Sequence, residues 1–236
     1  MFVFKLPLYR IIPVVTKISI YIQSFENIKE VEMSFSSKFN LVAEWFDKRL
    51  TWNDLNDDKF LNIPSQDVLD KLWYPSVIFT NTPNNYQTMM DSKSRLLVKK
   101  EGNFTLSSVH EVEETAYYKG SENTIEYSRD FFQEFKCNFE LQDYPFDTQI
   151  CTFLLKRPNK VEKFVKFVPD KLEYYGPLKM AEFAVINWTM VTSEEGNKEF
   201  DIQVKIILKR RVTQHLLSTY LPSLCILTVA QVNILV

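Results

Sequence analysis

Two of the three cysteines in this chain, Cys137 and Cys151, bracket thirteen residues that read Asn-Phe-Glu-Leu-Gln-Asp-Tyr-Pro-Phe-Asp-Thr-Gln-Ile. A disulfide across that span closes a compact loop and stabilises a fold by roughly 3 kcal/mol on the chain-entropy account. Two separate buried thiols in a reducing compartment give the same spacing, so the spacing leaves both readings open. The interior of the segment is more specific. Pro145 fixes its own backbone and drives Tyr144 toward an extended conformation, while Asp147 is placed to hydrogen-bond nearby amides, so the loop holds a defined shape with an apolar aromatic tip.

Composition excludes several classes of function. The 236 residues are 45% hydrophobic and 25% charged, enough apolar material for one large domain or a domain with an appendage. The net charge of -2 comes from 28 basic and 30 acidic residues, which leaves no electrostatic basis for binding nucleic acid. With only four glycines there is no phosphate-cradling loop, and no zinc-ligand cluster or nucleophile elbow occurs. His110 and His215 stand alone, without partners at triad or ligand spacing, so neither an enzyme nor a cofactor is expected, and no metal site is assigned.

At the C-terminal end, residues 216 to 236 carry no charge, and as a helix they would rise about 31 Å, the thickness of a bilayer core. Lys209, Arg210 and Arg211 precede them, where a cationic cluster anchors at lipid headgroups. Positive-inside statistics put such a cluster in the cytoplasm, whereas a disulfide-bearing domain belongs outside; the disulfide is given precedence. Residues 1–9 are apolar but interrupted by Lys5 and Pro7, unlike a signal peptide, and are read as an incomplete N-terminal segment. Asn103 and Asn187 head Asn-x-Thr triplets and are candidate glycosylation sites.

Between the ends the pattern is β. Ile18, Ile20 and Ile22 alternate with polar residues, and Phe35, Ser37, Phe39, Leu41, Ala43 and Trp45 form one face of a second strand. Eight further strands are expected, over 77–80, 96–98, 103–109, 113–118, 124–135, 148–155, 182–191 and 199–209, with turns at Asn53-Asp54, Gly102-Asn103, Lys119-Gly120-Ser121 and Glu195-Gly196-Asn197. That spacing predicts an all-β, two-sheet, immunoglobulin-like sandwich.

The loop with its Tyr-Pro-x-Asp centre resembles the signature loop of the pentameric ligand-gated ion channels, the Cys-loop receptors. Trp45-Phe-Asp-Lys-Arg-Leu50 with Trp52, Leu72-Trp-Tyr-Pro75, Leu208-Lys-Arg-Arg211 and Tyr220-Leu-Pro222 resemble further motifs of that family, in order along the chain. The resemblance implies a ten-strand extracellular sandwich over 10–212 and a first transmembrane helix, truncated, over 213–236. It implies a plasma-membrane location, four further subunits in a homo- or hetero-pentamer, and a small-molecule or ion ligand bound between subunits. It also implies that Tyr144, Pro145, Phe146, Asp147 and Arg210 couple the sandwich to the pore, with Asp147 and Arg210 as a charge pair.

The same resemblance places the ligand-pocket wall at Asn40, Val42, Thr80, Lys156, Arg157, Glu194, Glu195 and Phe200. Several of these depart from the family. Thr80 and Asn40 stand where aromatics are usual, Val42 where many amino-acid receptors carry an arginine, and the capping hairpin from Thr192 to Phe200 lacks a cysteine pair. Those departures argue against acetylcholine and weaken the case for glycine, glutamate or γ-aminobutyrate. Two readings follow: a stimulus sensed through carboxylates such as Glu113, Glu114, Glu194, Glu195 and Glu199, or a subunit that supplies only a partner's complementary face. Ala230-Gln-Val resembles the invertebrate anion-channel branch, and with it a chloride pore. A soluble, secreted pentameric binding protein of the same fold is the alternative.

Overall fold

The computed structural model describes residues 13–107, 115–193 and 199–235. In chain order the strands are β1 (Val14–Lys29), β2 (Ser34–Trp45), β3 (Thr51–Asn53), β4 (Ile78–Phe79), β5 (Ser94–Val98), β6 (Thr105–Ser107), β7 (Thr115–Lys119), β8 (Ile125–Lys136), β9 (Thr148–Lys156), β10 (Val165–Tyr174), β11 (Phe183–Thr192) and β12 (Ile202–Arg210). A short helix α1 (Gln66–Leu69) interrupts them, and α2 (Val212–His215) and α3 (Leu221–Leu235) follow. Twelve strand segments among the described residues exceed the expected ten by the three-residue β3 and by β10.

Two sheets face each other. One runs β10-β1-β2-β8-β5 and the other β11-β12-β9-β4, with a small third sheet of β3-β7-β6. The alternation legible along β2 is realised: Phe35, Ser37, Phe39, Leu41, Ala43 and Trp45 all point inward and are buried. Ile18, Ile20 and Ile22 of β1 are also fully buried. The two sheets are joined through phenylalanines: Phe39 of β2 lies 5.3 Å from Phe153 of β9, and Phe135 of β8 lies 4.3 Å from the same ring. Ring pairs of this kind add to the area each side chain buries and set the spacing between sheets.

Two departures from the expected pattern have physical causes. Strand β10, unforeseen in the sequence, pairs in parallel with β1, an association between residues about 150 apart. Its charges and Pro169 disguise it, and both are tolerated because β10 is an edge strand whose outer side forms no ladder; the register shifts beside the Ile18–Pro169 pair. The second departure concerns the apolar C-terminal run. Helical conformation starts at Val212, but residues Leu216–Tyr220 wind as a π-helix before α3. Pro222 donates no N–H and its ring crowds the carbonyl four residues back, at Ser218, which the wider turn accommodates. α3 is left with 15 residues, a rise of about 22 Å. No helix among the described residues is long and apolar enough to cross a membrane. Cys225 is free and exposed on α3.

Candidate functional site

One end of the sandwich gathers the disulfide loop, the β1–β2 hairpin and the end of β12. Cys137 and Cys151 are bonded, with Cα atoms 5.1 Å apart, so the disulfide reading holds. The Gln149 side chain braces the loop from inside, accepting from Glu140 N at 2.9 Å and donating to Glu140 O at 2.8 Å. The Tyr144–Pro145 peptide is cis. Cys137 N donates to Met33 O of the hairpin at 2.8 Å, which ties loop to hairpin.

Arg210 occupies the centre of this end. Its Nε and Nη2 donate to the two carboxylate oxygens of Asp147 at 2.6 and 2.9 Å, and its Nη1 pairs with Glu30 of the hairpin. The guanidinium lies between two aromatic rings, 4.9 Å from Tyr144 and 4.6 Å from Phe183. Asp147 and Arg210 are each only 3% exposed, so the pair sits in a medium where charge interactions are weakly screened. Burial pushes the Asp147 carboxyl up, but hydrogen bonds from Arg210 and Gln149 outweigh it and hold the group below the ordinary carboxylate range. For Arg210, burial works against the charge and the bonds to Asp147 and Glu30 more than compensate.

The expected pairing of Asp147 with Arg210 is therefore formed. The aromatic tip divides: Tyr144 packs back on the guanidinium, Pro145 is buried, and Phe146 projects outward at 70% exposure. Glu30 and Phe183 were not anticipated. Neither carries a local signal, because each reaches Arg210 only through strand packing.

A cleft of about 750 Å³ opens at the opposite ends of β9 and β12, within the size range of small-molecule sites. Ile78, Thr80, Leu154, Lys156, Asn159, Lys160 and Glu199 are among the residues lining it, and none of the lining residues is aromatic. The two expected wall residues Thr80 and Lys156 thus come together. Asn81 holds them in place: its Nδ2 donates to Thr152 O at 2.7 Å and its Oδ1 accepts from Leu154 N at 3.0 Å, fastening the end of β4 to β9.

Other expected wall residues lie elsewhere. Arg157 turns away, pairing with Asp201 at 2.7 Å and donating to Val165 O at 2.5 Å, so it locks β9 to β12 and β10. Phe200 is half-buried and does not line the cleft. Asn40 and Val42 lie on the outer face of the five-stranded sheet, where Asn40 Nδ2 donates to Asp130 at 2.9 Å and to Ser128 at 3.2 Å. The cleft is on the outer face of the other sheet, so the two groups stand on opposite sides of the sandwich. Glu194 and Glu195, with Glu113, Glu114 and His110, fall outside the described residues. Asn103 and Asn187 are both exposed. Among the described residues no group of three or more His, Cys, Asp or Glu is placed to hold a metal ion.

An all-β sandwich with a charge-locked disulfide loop at one end and an outward cleft at the other is a receptor-type binding scaffold. Residues 6–212 match the family model described as the neurotransmitter-gated ion-channel ligand binding domain, and the chain belongs to that family. It is similar to the gamma-aminobutyric acid receptor subunit beta-4 of Gallus gallus, 24% identical over 235 residues, covering 94% of this chain and 42% of that protein. It is likewise similar to the gamma-aminobutyric acid receptor subunit beta-like of Drosophila melanogaster, 24% identical over 232 residues, with 90% and 42% covered. The chain spans less than half the length of these relatives.

Proposed function

We propose that this chain is the extracellular ligand-binding part of a pentameric ligand-gated channel subunit at the plasma membrane. It receives a small ligand at the Thr80–Lys156 cleft and transmits the event to a pore through the Asp147–Arg210 end. The observation that carries this reading is the pairing of β9 with β12. Their eight register pairs run without a shift from Ile202–Leu155 to Lys209–Thr148, so the same two strands reach both sites. β9 alone spans about 30 Å. A ladder without bulges resists bending, so a displacement of its cleft end is carried to the guanidinium at its other end.

The placement of Asn40 and Val42 supports binding between subunits, since residues on opposite outer faces of one sandwich meet only across a boundary between copies. Lys156, Lys160 and Glu199 offer charges of both signs and no aromatic box lines the cleft, which favours a zwitterionic amino acid over a quaternary ammonium. γ-Aminobutyrate is the first candidate, in keeping with the names of the relatives, and the pore is assigned chloride selectivity on the same resemblance. With valine at position 42, the ligand carboxylate falls to Lys156 or Lys160. Helix α3, which exposes Leu221, Leu224, Ile226 and Leu227 around its circumference, is assigned to the membrane, and Asn103 and Asn187 to glycosylation.

The test is recording from oocytes that express the subunit containing this chain, alone and with a γ-aminobutyric acid receptor β subunit, under γ-aminobutyrate, glycine, pH steps and divalent ions. Evoked current whose half-maximal γ-aminobutyrate concentration rises roughly tenfold or more in Lys156→Ala or Lys160→Ala supports the reading, as loss of a charged hydrogen bond requires. Current that appears only on co-expression and responds to Asp130→Ala but not to the lysine variants places this chain on the complementary side. Absence of both oligomer and current overturns the proposal.

A further inference from the structure

A second cavity, of about 290 Å³, lies where the turn after β2, strand β3 and helix α1 meet. Its apolar wall includes Trp52, Val68, Leu72 and Trp73. The surroundings are fixed in several ways. Asp47 holds the turn, accepting from Arg49 N at 3.0 Å and pairing with its guanidinium at 2.5 Å. Gly120 N donates to Leu50 O at 2.9 Å so closely that a Cβ on Gly120 would sit 2.2 Å from Asp47 O. Trp73 stands edge-on to the fully buried Trp45, with ring centroids 6.1 Å apart. Walls braced like this do not collapse to close a void, and side chains facing it forgo dispersion contacts that an occupant would restore.

We infer that this cavity is a second binding site, for an uncharged, mainly apolar molecule of one or two rings. The volume is about twice that of an apolar cavity known to admit benzene. Asp47 and Arg49 at its edge satisfy each other, and Asp67 and Lys71, which also line it, are opposite in sign, so the lining carries no net charge to select an ion. The site is separate from the Thr80 cleft, with which it shares no lining residue.

The probe is 4-fluorobenzyl alcohol, titrated into the full chain and followed by fluorine NMR and by tryptophan fluorescence, since Trp52 and Trp73 both line the cavity. Saturable binding is expected, weakened by about tenfold or more when Val68→Phe fills the cavity, and changed by less than about twofold in Thr80→Trp, which fills the cleft. Asp67 is exposed and lines the cavity edge, so Asp67→Trp obstructs it without touching the core; it carries the comparison if Val68→Phe lowers the melting temperature. Non-saturable binding, binding undiminished in both α1 variants, or binding lost only in Thr80→Trp overturns the inference.

Discussion

Arg210 and Asp147, 63 residues apart in sequence, form a two-point contact in which both carboxylate oxygens of Asp147 accept from the guanidinium and the Arg210 backbone N–H donates to Asp147 O at 3.2 Å. Side chain and main chain together fasten the disulfide loop to the last residue of β12, immediately before the chain turns helical at Val212.

Arg210→Met strands two carboxylates, Asp147 and Glu30, and is expected to cost about 3–5 kcal/mol in urea unfolding of the chain. Asp147→Asn keeps a hydrogen-bond acceptor and leaves Glu30 as counter-ion, so its loss is smaller, on the order of 1–3 kcal/mol. Equal losses would mean that Glu30 contributes nothing.

Acidification probes the same pair. Because the folded Asp147 carboxyl lies below its unfolded value, its contribution is complete above the ordinary carboxylate range and is lost as pH falls through the lowered folded value. Stability measured from pH 6 downward should therefore fall less steeply in Asp147→Asn than in the parent chain. Glu126, also held low because Lys59 and Lys99 outweigh its burial, preserves part of the slope in both. Identical slopes would contradict the assignment.

Replacing both loop cysteines, Cys137→Ala with Cys151→Ala, removes a bridge between residues 14 apart and is expected to cost about 3 kcal/mol. The measurement is the shift of the denaturant midpoint relative to the oxidised parent.

Gly120→Ala places a methyl 2.2 Å from Asp47 O and 2.9 Å from Leu50 O, both backbone atoms that yield little. A loss of about 1–3 kcal/mol is expected, read from thermal or denaturant unfolding. Unchanged stability would mean that the Asp47–Leu50 turn is soft, and would weaken the case for a preformed cavity beside it.

Phe146 tests coupling apart from folding. At 70% exposure its removal should leave stability within about 0.5 kcal/mol, while ligand-evoked current from assembled receptors falls. Undiminished current would remove Phe146 from the coupling surface.

The sequence by itself determined what depends on local pattern. Period-two alternation specified the inward face of β2 and the isoleucines of β1, because successive side chains in a strand point to opposite faces. The spacing of Cys137 and Cys151, with the Tyr-Pro-x-Asp centre, marked the loop, and the family resemblance those motifs carry implied the partnership of Asp147 with Arg210. Tertiary structure alone decided what depends on residues distant in sequence. It brought Glu30 to the guanidinium, turned Arg157 out of the cleft toward Asp201, paired the charged edge strand β10 with β1, and set Asn40 and Val42 on the face opposite Thr80. Each of these rests on how strands are ordered within and between sheets, and a strand's own residues state which way its side chains alternate but not which strand lies beside it.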